Sequence, residues 1–272
     1  MGNLEKEHIN QERIMKDTSD KRAIIIGATS GIGRAVAERL LSEGWTLGIA
    51  GRRTERLEEI RIRYGEDRVR IARMDITRED SVEALDSLLC EMGRVDLFLH
   101  VSGIGYQNRE LDEDKEKRTI ETNCVGMVRI VSHFLNHVRS KAGEGLYSPS
   151  SKVRIAVVSS IAGTRGMGTA PSYSASKSMQ SSYVTALSQL CRMEGIPAVF
   201  SDIRPGFVLT EILSPVKKHP MAMNVDAAAG YIVRGIEKGR RVITFDWKFV
   251  LAVAIWRMVP RPLWERITFI KS

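Results

Sequence analysis

The stretch AIIIGATSGIGRAVAERLL, residues 23–41, decides the fold class of this 272-residue chain. Its first four residues are apolar, which is typical of a buried strand. A glycine-rich turn at 27–33 follows without a break, and the apolar periodicity of a helix follows the turn. The order strand, turn, helix predicts the first unit of a parallel sheet with helices on its faces.

The three glycines of this turn have separate roles. Gly27 permits the tight turn, Gly31 lets the backbone approach phosphates, and Gly33 lets the helix pack closely on the strand. A helix N-terminus presents backbone N–H groups and the positive end of its dipole, and together these bind a pyrophosphate. A turn without a ligand is the alternative, and the strand and helix on either side count against it. The other predicted phosphate contacts in the turn are Thr29, Ser30 and Ile32.

Runs rich in Ile, Val and Leu alternate with stretches of helical periodicity along the chain. The predicted strands are 23–27, 46–51, 68–74, 95–101, 152–159, 198–203 and 241–244. The predicted helices are 31–42, 54–64, 79–92, 115–139, 173–193 and 226–237. This pattern predicts an α/β protein with a Rossmann-type, doubly wound parallel sheet of seven strands, flanked by helices on both faces.

No linker rich in Pro, Gly or Ser interrupts the alternation, which predicts a single domain. Residues 1–20 are charged throughout and are interpreted as a polar N-terminal tail. Residues 21–244 form the predicted nucleotide-binding domain, which contains the whole strand–helix alternation. Residues 245–272 are an apolar C-terminal extension of the same domain, rich in Trp and Arg.

Lysine and arginine outnumber aspartate and glutamate by 41 to 33, which gives a formal net charge of +8. Such a charge favours contact with nucleic acid, a membrane surface or a phosphorylated ligand. Aromatic residues make up only 6% of the chain, and they do not alternate with basic residues as in grooves that stack bases. Nucleic acid is therefore not a predicted partner.

The three cysteines, Cys90, Cys124 and Cys191, are widely spaced and form no C-x-x-C pair. They predict neither a disulfide framework nor a zinc site, and they indicate a reducing cytoplasm. His133 and His137 have the spacing of two metal ligands, but the sequence offers no third ligand nearby, so no metal is predicted. The chain has no run of 18 apolar residues, so no membrane-spanning segment is predicted either.

Tyr173 and Lys177 lie four residues apart in Y-S-A-S-K, which places both on one face of a helix. A free tyrosine has a pKa near ~10, so proton transfer at neutral pH requires a nearby cation, which Lys177 supplies. A Y-x-x-x-K pair alone is weak evidence, because most such pairs are ordinary helix surface. Ser160 strengthens it, since it ends an apolar strand where α/β sheets place their ligand groups. The neighbouring Ser159 is expected to point to the opposite face.

The turn G-x-x-x-G-x-G, Ser160 and the segment Y-x-A-S-K together resemble the classical short-chain dehydrogenases/reductases, and the resemblance extends over residues 22–244. It implies that Ser160 hydrogen-bonds a substrate carbonyl and that Tyr173 donates the proton. It implies that Lys177 lowers the pKa of the tyrosine and binds the nicotinamide ribose. It also implies that Asn123, in E-T-N-C-V-G, anchors a proton-relay water.

The resemblance implies further cofactor contacts. Asp75, followed by Ile76, matches the position that contacts the adenine ring, and Gly103 matches the glycine beside the adenosine ribose. The P-G motif after the sixth strand borders the nicotinamide amide. Its residues are Pro205, Gly206, Val208 and Thr210.

In this family the residue that ends the second strand selects the cofactor. An acid there binds the ribose hydroxyl of NAD, and a basic residue beside it accommodates the 2′-phosphate of NADP. Here Gly51 ends the strand and Arg52 and Arg53 follow, which indicates NADP(H), with Arg34 as a third candidate contact. The alternative is a solvated helix start, but cations at a helix N-terminus oppose the dipole and favour a compensating anion.

The sequence departs from the family pattern in two places. Ile26 stands where the family has threonine, and His100, Val101 and Ser102 stand where it has Asn-Asn-Ala before Gly103. The lost amides stabilise the sheet in the family, so the departure bears more on stability and cofactor affinity than on chemistry. His100 is interpreted as a buried structural histidine, with a substitute donor as the alternative.

Two segments bear on the substrate and on partners. The loop 205–225 predicts an apolar lid over a lipophilic or bulky ketone through Phe207, Leu209, Ile212, Met221 and Met223. The extension 245–272 has two interpretations, an interfacial helix on an anionic membrane or a helix that closes the substrate pocket or packs across a dimer. The second is slightly preferred. The tryptophans concerned are Trp247, Trp256 and Trp264.

The sequence therefore predicts a cytoplasmic, NADP(H)-dependent oxidoreductase that interconverts a carbonyl and a secondary alcohol without a metal. Its predicted partners are a small-molecule carbonyl substrate and further copies of itself, in a homodimer or homotetramer. The alternative is a non-catalytic NADP-binding regulator on the same fold, which uses the extension to hold a partner or a membrane.

Overall fold

The structure is a computed structural model, and it describes residues 21–209, 223–245 and 247–267. Its centre is a sheet whose strands are β1 Arg22–Ile26, β2 Thr46–Gly51, β3 Val69–Arg73, β4 Leu97–His100, β5 Val153–Val158, β6 Ala198–Arg204 and β7 Val242–Thr244. The strand order is β3-β2-β1-β4-β5-β6-β7, and every pairing is parallel. The predicted seven-stranded, doubly wound sheet is confirmed. Its order reverses between β1 and β4, where such sheets open the crevice that binds ligands.

Helices cover both faces of the sheet. They are α1 Gly31–Ser42, α2 Thr54–Tyr64, α3 Ser81–Met92, α4 Glu113–Ile120, α5 Met127–Gly143, α6 Pro171–Met193, α7 Val225–Glu237, α8 Trp247–Met258 and α9 Arg261–Glu265. A π-helix at Glu121–Gly126 joins α4 to α5, and a 3₁₀ turn at Ile161–Thr164 follows β5. The bounds of α1 and α2 match the prediction, and α3, α6 and α7 begin within two residues of it.

Two hydrophobic cores lie on opposite faces of the sheet because successive strand residues point to opposite sides. Ile25 belongs to the core shared with α1, α2 and α7. Ile24 and Ile26 belong to the core shared with α3, α5 and α6. Helix α6, which carries the Y-S-A-S-K segment, therefore packs on the second face beside α5.

The helix predicted at 115–139 lies within a continuous helical stretch at 113–143, but a π-helical segment at Glu121–Gly126 interrupts its α-helical hydrogen bonding. The Asn123 side chain bonds both backbone groups of Ile104, outside the helix. A Cβ atom on Gly126 would lie only 2.9 Å from the Ile76 carbonyl oxygen, so the widened turn packs directly against the loop after β3. Apolar periodicity could not reveal this interruption, because one widened turn barely changes which residues face the core.

The C-terminal extension folds back on the loop that follows β5. Arg165 donates through Nε to the Trp256 carbonyl at 3.1 Å and through Nη2 to the Val259 carbonyl at 2.6 Å. In return, Trp264 Nε1 donates to the Gly166 carbonyl at 2.8 Å. The described part of the extension thus contacts its own chain. The domain boundaries stay predictions, and the predicted tail 1–20 lies outside the described residues.

No helix in the described ranges is both long enough and apolar enough to cross a membrane.

Candidate active site

The glycine-rich turn between β1 and α1 tolerates no side chain at two of its positions. Gly27 has a φ of 97°, and a Cβ atom there would lie 2.8 Å from the Ser102 amide nitrogen. A Cβ atom on Gly33 would lie 2.1 Å from the Gly27 carbonyl oxygen. The backbone is therefore folded tightly against the start of α1, as a phosphate-binding turn requires.

The N-terminus of α1 has no anionic partner in its first turn. Ser30 is the N-cap residue, but its hydroxyl does not cap the helix, and the first turn has no acidic side chain. Instead, Ser30 Oγ accepts a hydrogen bond from Arg53 Nη2 at 2.6 Å. The amide groups and the positive end of the helix dipole thus fit a pyrophosphate. Of the other predicted contacts in this turn, Thr29 is buried and Ile32 is partly buried.

The end of β2 carries no carboxylate. A Cβ atom on Gly51 would lie 2.5 Å from Thr29 Cγ2, so a larger residue there requires Thr29 to move. Arg52 is exposed, and Arg53 Nη2 bonds Thr29 Oγ1 at 3.1 Å as well as Ser30. Arg34 is engaged by ion pairs with two glutamates. Its Nε lies 3.0 Å from Glu38 Oε1, and its Nη1 lies 2.7 Å from Glu59 Oε2.

The predicted adenosine contacts lie at the carboxyl ends of β3 and β4. Asp75 Oδ1 accepts hydrogen bonds from the Thr77 amide at 3.1 Å and from the Thr77 hydroxyl at 2.8 Å. Partial burial raises the pKa of Asp75, but the Thr77 bonds and the Arg52 charge outweigh it, so the pKa lies below its usual value. Ile76 is buried. A Cβ atom on Gly103 would lie 3.3 Å from Lys177 Nζ, so this glycine lies next to the lysine of the Y-S-A-S-K segment.

Ser160, Tyr173 and Lys177 converge beyond the carboxyl end of β5. Ser160 follows the strand, and its hydroxyl lies close enough to the Tyr173 phenol to lower the pKa of that phenol. Lys177 Nζ lies 5.8 Å from the centre of the Tyr173 ring and donates to the Val158 carbonyl at 3.0 Å. The structure therefore brings the three side chains together, as their positions in the sequence predict.

Burial dominates the electrostatics of this cluster. It raises the pKa of Tyr173 above its usual value, and the hydrogen bond with Ser160 acts in the opposite direction. Burial lowers the pKa of Lys177 to about 8, and the charge of Asp202 opposes that effect. Lys177 is therefore mainly cationic at pH 7, within reach of a tyrosine whose phenolate requires a cation.

The side chains of Ser159 and Ser160 contact different groups, as expected because successive residues of a strand point to opposite faces. The Ser159 hydroxyl donates to the Asp202 carboxylate and accepts from Ser181 Oγ at 3.3 Å. Asp202 also accepts from Ser181 Oγ at 2.8 Å and pairs with Arg204 at 2.7 Å. Ser159 is thus part of a buried polar cluster between β5, β6 and α6, whereas the Ser160 side chain faces the Tyr173 phenol.

Asn123 is fully buried, and the polar atoms of its side chain are engaged by protein groups. Its Oδ1 accepts from the Ile104 amide at 2.8 Å, and its Nδ2 donates to the Ile104 carbonyl at 2.8 Å and to Ser176 Oγ at 3.0 Å. These bonds fix the loop after β4 to α6. The role of Asn123 in holding a relay water stays a prediction.

His100 is fully buried at the end of β4, which fits a structural histidine. Neither ring nitrogen makes a well-formed hydrogen bond within the described residues, although the Ser102 backbone lies beside the ring. Burial, together with the charge of Lys177, lowers the pKa of His100 to about 3. The Ile26 carbonyl accepts from the amides of Val101 and Ser102, so backbone bonds hold this segment to β1.

The P-G segment follows β6 and reaches Ser160. The Pro205 carbonyl accepts from the Ile161 amide at 3.0 Å, and Val208 is buried. Gly206 lies between them and is partly exposed. Of the predicted lid, Phe207, Leu209 and Met223 are described, and Leu209 and Met223 are joined by a backbone bond of 3.0 Å. Thr210, Ile212 and Met221 lie outside the described residues.

Sequence reasoning missed two residues that fix groups on α6. The Glu116 carboxylate accepts from the Ser172 amide at 3.0 Å, next to Tyr173, and from Asn108 Nδ2 at 2.6 Å. Gln180, one turn after Lys177, bonds its ammonium group. The only signal in the sequence was the position of Gln180 on the same helix face as the Y-S-A-S-K motif.

The geometry agrees with the comparisons of this chain with known proteins. The model of the family described as short chain dehydrogenase matches residues 21–220. The chain belongs to the short-chain dehydrogenase family. A relative from Myxococcus xanthus, described as an uncharacterized oxidoreductase, is 29% identical over 259 residues, which are 92% of this chain and 97% of that protein. The resemblance stated from the sequence motifs is thus confirmed, and with it membership of an oxidoreductase family.

Solved structures with this fold hold either nicotinamide cofactor. An alcohol dehydrogenase from the archaeon Thermococcus sibiricus, complexed with 5-hydroxy-NADP, is 26% identical with a TM-score of 0.69, and the match covers 83% of this chain and 95% of that one. A 3-ketoacyl-(acyl-carrier-protein) reductase from Brucella melitensis, complexed with NADH, is 22% identical with a TM-score of 0.73, covering 83% and 96%. The fold therefore accommodates both NAD(H) and NADP(H).

Proposed function

We propose that this protein is an NADP(H)-dependent oxidoreductase that interconverts a ketone and a secondary alcohol. The observation that carries the proposal is the convergence of Ser160, Tyr173 and Lys177 at the carboxyl edge of the sheet. They lie beyond the same sheet edge as the glycine-rich turn, where a dinucleotide reaches from its phosphates to the reacting groups.

Ser160, Tyr173 and Lys177 have different roles in the proposed proton transfer. The Ser160 hydroxyl hydrogen-bonds the substrate oxygen, and the Tyr173 hydroxyl gives that oxygen its proton during reduction or removes it during oxidation. Lys177 stabilises the phenolate that Tyr173 becomes. Bound NADP(H) supplies the hydride to the carbonyl carbon, or accepts it in the reverse direction.

The preference for NADP(H) is supported by the end of β2. A carboxylate at position 51 would meet Thr29, and Arg52 lies exposed beside the turn. Arg53 already points at Ser30, the N-cap of α1. Guanidinium groups at this place suit a 2′-phosphate, which is dianionic and accepts bidentate bonds. A contact from Arg34 to the phosphate requires its ion pairs with Glu38 and Glu59 to open.

The substrate is proposed to be an apolar or bulky ketone. The support comes from the segment after β6, where Phe207, Leu209 and Met223 are the described apolar residues of the predicted lid. Leu209 has 58% of its surface exposed, so an apolar side chain of this segment is available for contact with a substrate. A substrate that buries such surface gains about 25 cal/mol per Å².

Three finer expectations stay predictions: assembly into a homodimer or homotetramer, residence in the cytoplasm, and contact of the extension with a membrane. For the last, α8 exposes Leu251, Ile255 and Met258, which share one face at helical spacing. Co-sedimentation of the full chain with anionic vesicles tests this contact. Absence of lipid binding would eliminate it.

The proposed function is tested by titration with NADPH and NADH, followed by a screen of NADPH oxidation across ketone classes. We expect NADPH to bind at least about tenfold more tightly, because one charge-assisted bond contributes roughly 1.5–3 kcal/mol. Turnover of apolar ketones supports the substrate class, and activity limited to short polar ketones or sugars would overturn it. NADPH binding without turnover of any ketone would favour the non-catalytic regulator.

The variant Arg52→Asp tests the cofactor preference directly. A carboxylate at this position repels a 2′-phosphate, so NADPH affinity should fall about tenfold or more, while NADH affinity is kept or improved. Arg70→Asp is the matched control, because it makes the same charge reversal near the start of β3, where Arg70 pairs with Glu91 at 3.5 Å. Equal losses for both cofactors in Arg52→Asp would contradict the proposed preference.

A further inference from the structure

Gln180 joins Lys177 to the main chain of Asn123. It lies on α6 three residues after Lys177 and is fully buried. Its Oε1 accepts a hydrogen bond from Lys177 Nζ at 2.9 Å, and its Nε2 donates to the Asn123 main-chain carbonyl at 2.8 Å. The oxygen and the nitrogen of the Gln180 side-chain amide thus connect Lys177 to the π-helix.

The π-helix presents the main-chain carbonyl of Asn123 to the side chain of Gln180. Asn123 lies within the π-helix, where the regular i→i+4 ladder of an α-helix is interrupted. The Asn123 side chain bonds Ile104 in the loop after β4 and Ser176 on α6, so these two contacts hold the residue in place. An amide that bonds this carbonyl is therefore bound to a rigid point of the molecule.

Few of the groups around Lys177 carry a negative charge that could balance its ammonium group. Tyr173 on its own helix, His100 on β4 and Cys124 on the π-helix all face it. Burial and the lysine charge lower the pKa of His100 to about 3, and burial raises the pKa of Cys124, so both are neutral at pH 7. Asp202 on β6 is the carboxylate whose charge acts on Lys177, and it is already bonded by serine and arginine.

A buried ammonium group requires acceptors, because burial without hydrogen bonds favours its neutral form. Lys177 Nζ has the Val158 carbonyl at 3.0 Å and Gln180 Oε1 at 2.9 Å. Gln180 therefore supplies one of two protein acceptors that the described residues provide, and it also fixes where the ammonium group lies.

We propose that Gln180 is a positioning residue of this enzyme, which keeps Lys177 cationic and fixed beside Tyr173 by connecting it to the Asn123 carbonyl. The Y-S-A-S-K motif ends before this residue. The inference deepens the proposed function and rests on it for its catalytic meaning. The hydrogen-bond bridge itself is a property of the protein without substrate.

The test is an NMR titration of Lys177 in the full-length protein without cofactor, with ¹³C-labelled lysine and Lys177→Met to identify the resonance. In Gln180→Met the ammonium group loses an acceptor, so the Lys177 midpoint should fall by at least about half a pH unit. In Gln180→Glu a carboxylate replaces the amide, so the midpoint should rise by at least as much. Val184→Ala is the control, because it weakens the buried face of the same helix without touching the bridge.

Opposite shifts in the two Gln180 variants support the proposal, because a residue that only fills space would not move the midpoint in both directions. A midpoint that stays within about 0.2 units of the wild type in both variants would overturn it. If one variant does not fold, the sign of the shift in the other decides.

A pH profile of alcohol oxidation supplies the catalytic readout. In Gln180→Met we expect the rising limb of kcat/KM to move to higher pH, because Tyr173 loses its nearby cation. A shifted Lys177 midpoint with an unmoved rising limb would overturn the catalytic role of the bridge. Folded wild-type protein that oxidises no alcohol would count against the proposed function, and the NMR result would still decide the bridge.

Discussion

His100 shows how one residue can affect stability without entering the chemistry. It occupies a strand end where the family has an amide, and it is fully buried and neutral there. In the unfolded chain its pKa is near ~6.5, so acid protonates the unfolded state before the native state. The native pKa is depressed, and therefore stability is present above the unfolded pKa and is lost as the pH falls below it.

The variant His100→Asn should remove this acid sensitivity. Between pH 7 and pH 5 the wild type should lose about 2 kcal/mol of unfolding free energy relative to the variant, at about 1.4 kcal/mol per pH unit below 6.5. Urea unfolding at both pH values measures the difference. Parallel losses in the two proteins would show that His100 is not neutral in the native state.

Helix α6 is the element that decides the geometry of the catalytic cluster. It carries Tyr173, Lys177 and Gln180, and its N-terminus is capped from outside by Glu116. Asn108 bonds the same carboxylate, so the loop after β4, helix α4 and helix α6 meet at one side chain. The position of the tyrosine thus depends on an element far away in the sequence.

The variant Glu116→Ala should loosen the start of α6. We expect a loss of about 1–2 kcal/mol in unfolding free energy and a lower kcat, because the Ser172 amide and the Asn108 side chain lose their acceptor. Glu113→Ala, at an exposed position of α4 that pairs with Lys117, should change stability by less than about 0.5 kcal/mol. Equal effects of the two variants on stability and kcat would contradict this role.

Local sequence patterns predicted the helices, the strands and the motif residues. They did not predict contacts between residues that are far apart in the sequence. The turn glycines and the Tyr173–Lys177 pair follow from spacing along one strand or one helix. Gln180 bonds a residue 57 positions away, and Glu116 bonds one 56 positions away. No periodicity in a single sequence shows which side chains two separate helices bring together. The π-helix was missed for the same reason, since it is stabilised by Ile104 outside the helix.

The carboxyl edge of the sheet carries the candidate site, and the C-terminal extension packs against the loop after β5 on one side of it. The 3₁₀ turn and the loop after β5 lie next to Ser160, and Arg165 and Trp264 bind this loop to α8 and α9. Composition identified the extension as the least typical part of the sequence. The hydrogen bonds of Arg165 to two main-chain carbonyls could not be predicted, because they join residues 91 and 94 positions apart.

The variant Arg165→Ala should release the extension. We expect amides of α8 and α9 to exchange hydrogen at least about tenfold faster, because each bond from a charged donor contributes roughly 1.5–3 kcal/mol. Amides of β1 and β4 should be unchanged. Arg261→Ala, which removes an exposed ion pair with Glu265, serves as the control. Unchanged protection of α8 in Arg165→Ala would show that other contacts hold the extension.

The proposed reaction requires Tyr173 to exchange a proton with the substrate, and the variant Tyr173→Phe removes the hydroxyl that does so. The measurement is kcat for NADPH-dependent ketone reduction, with NADPH affinity measured on the same sample. A general acid contributes about 10²- to 10⁴-fold, so we expect kcat to fall by that factor with NADPH affinity changed by less than about threefold. A variant that keeps kcat within about threefold of the wild type would contradict the account.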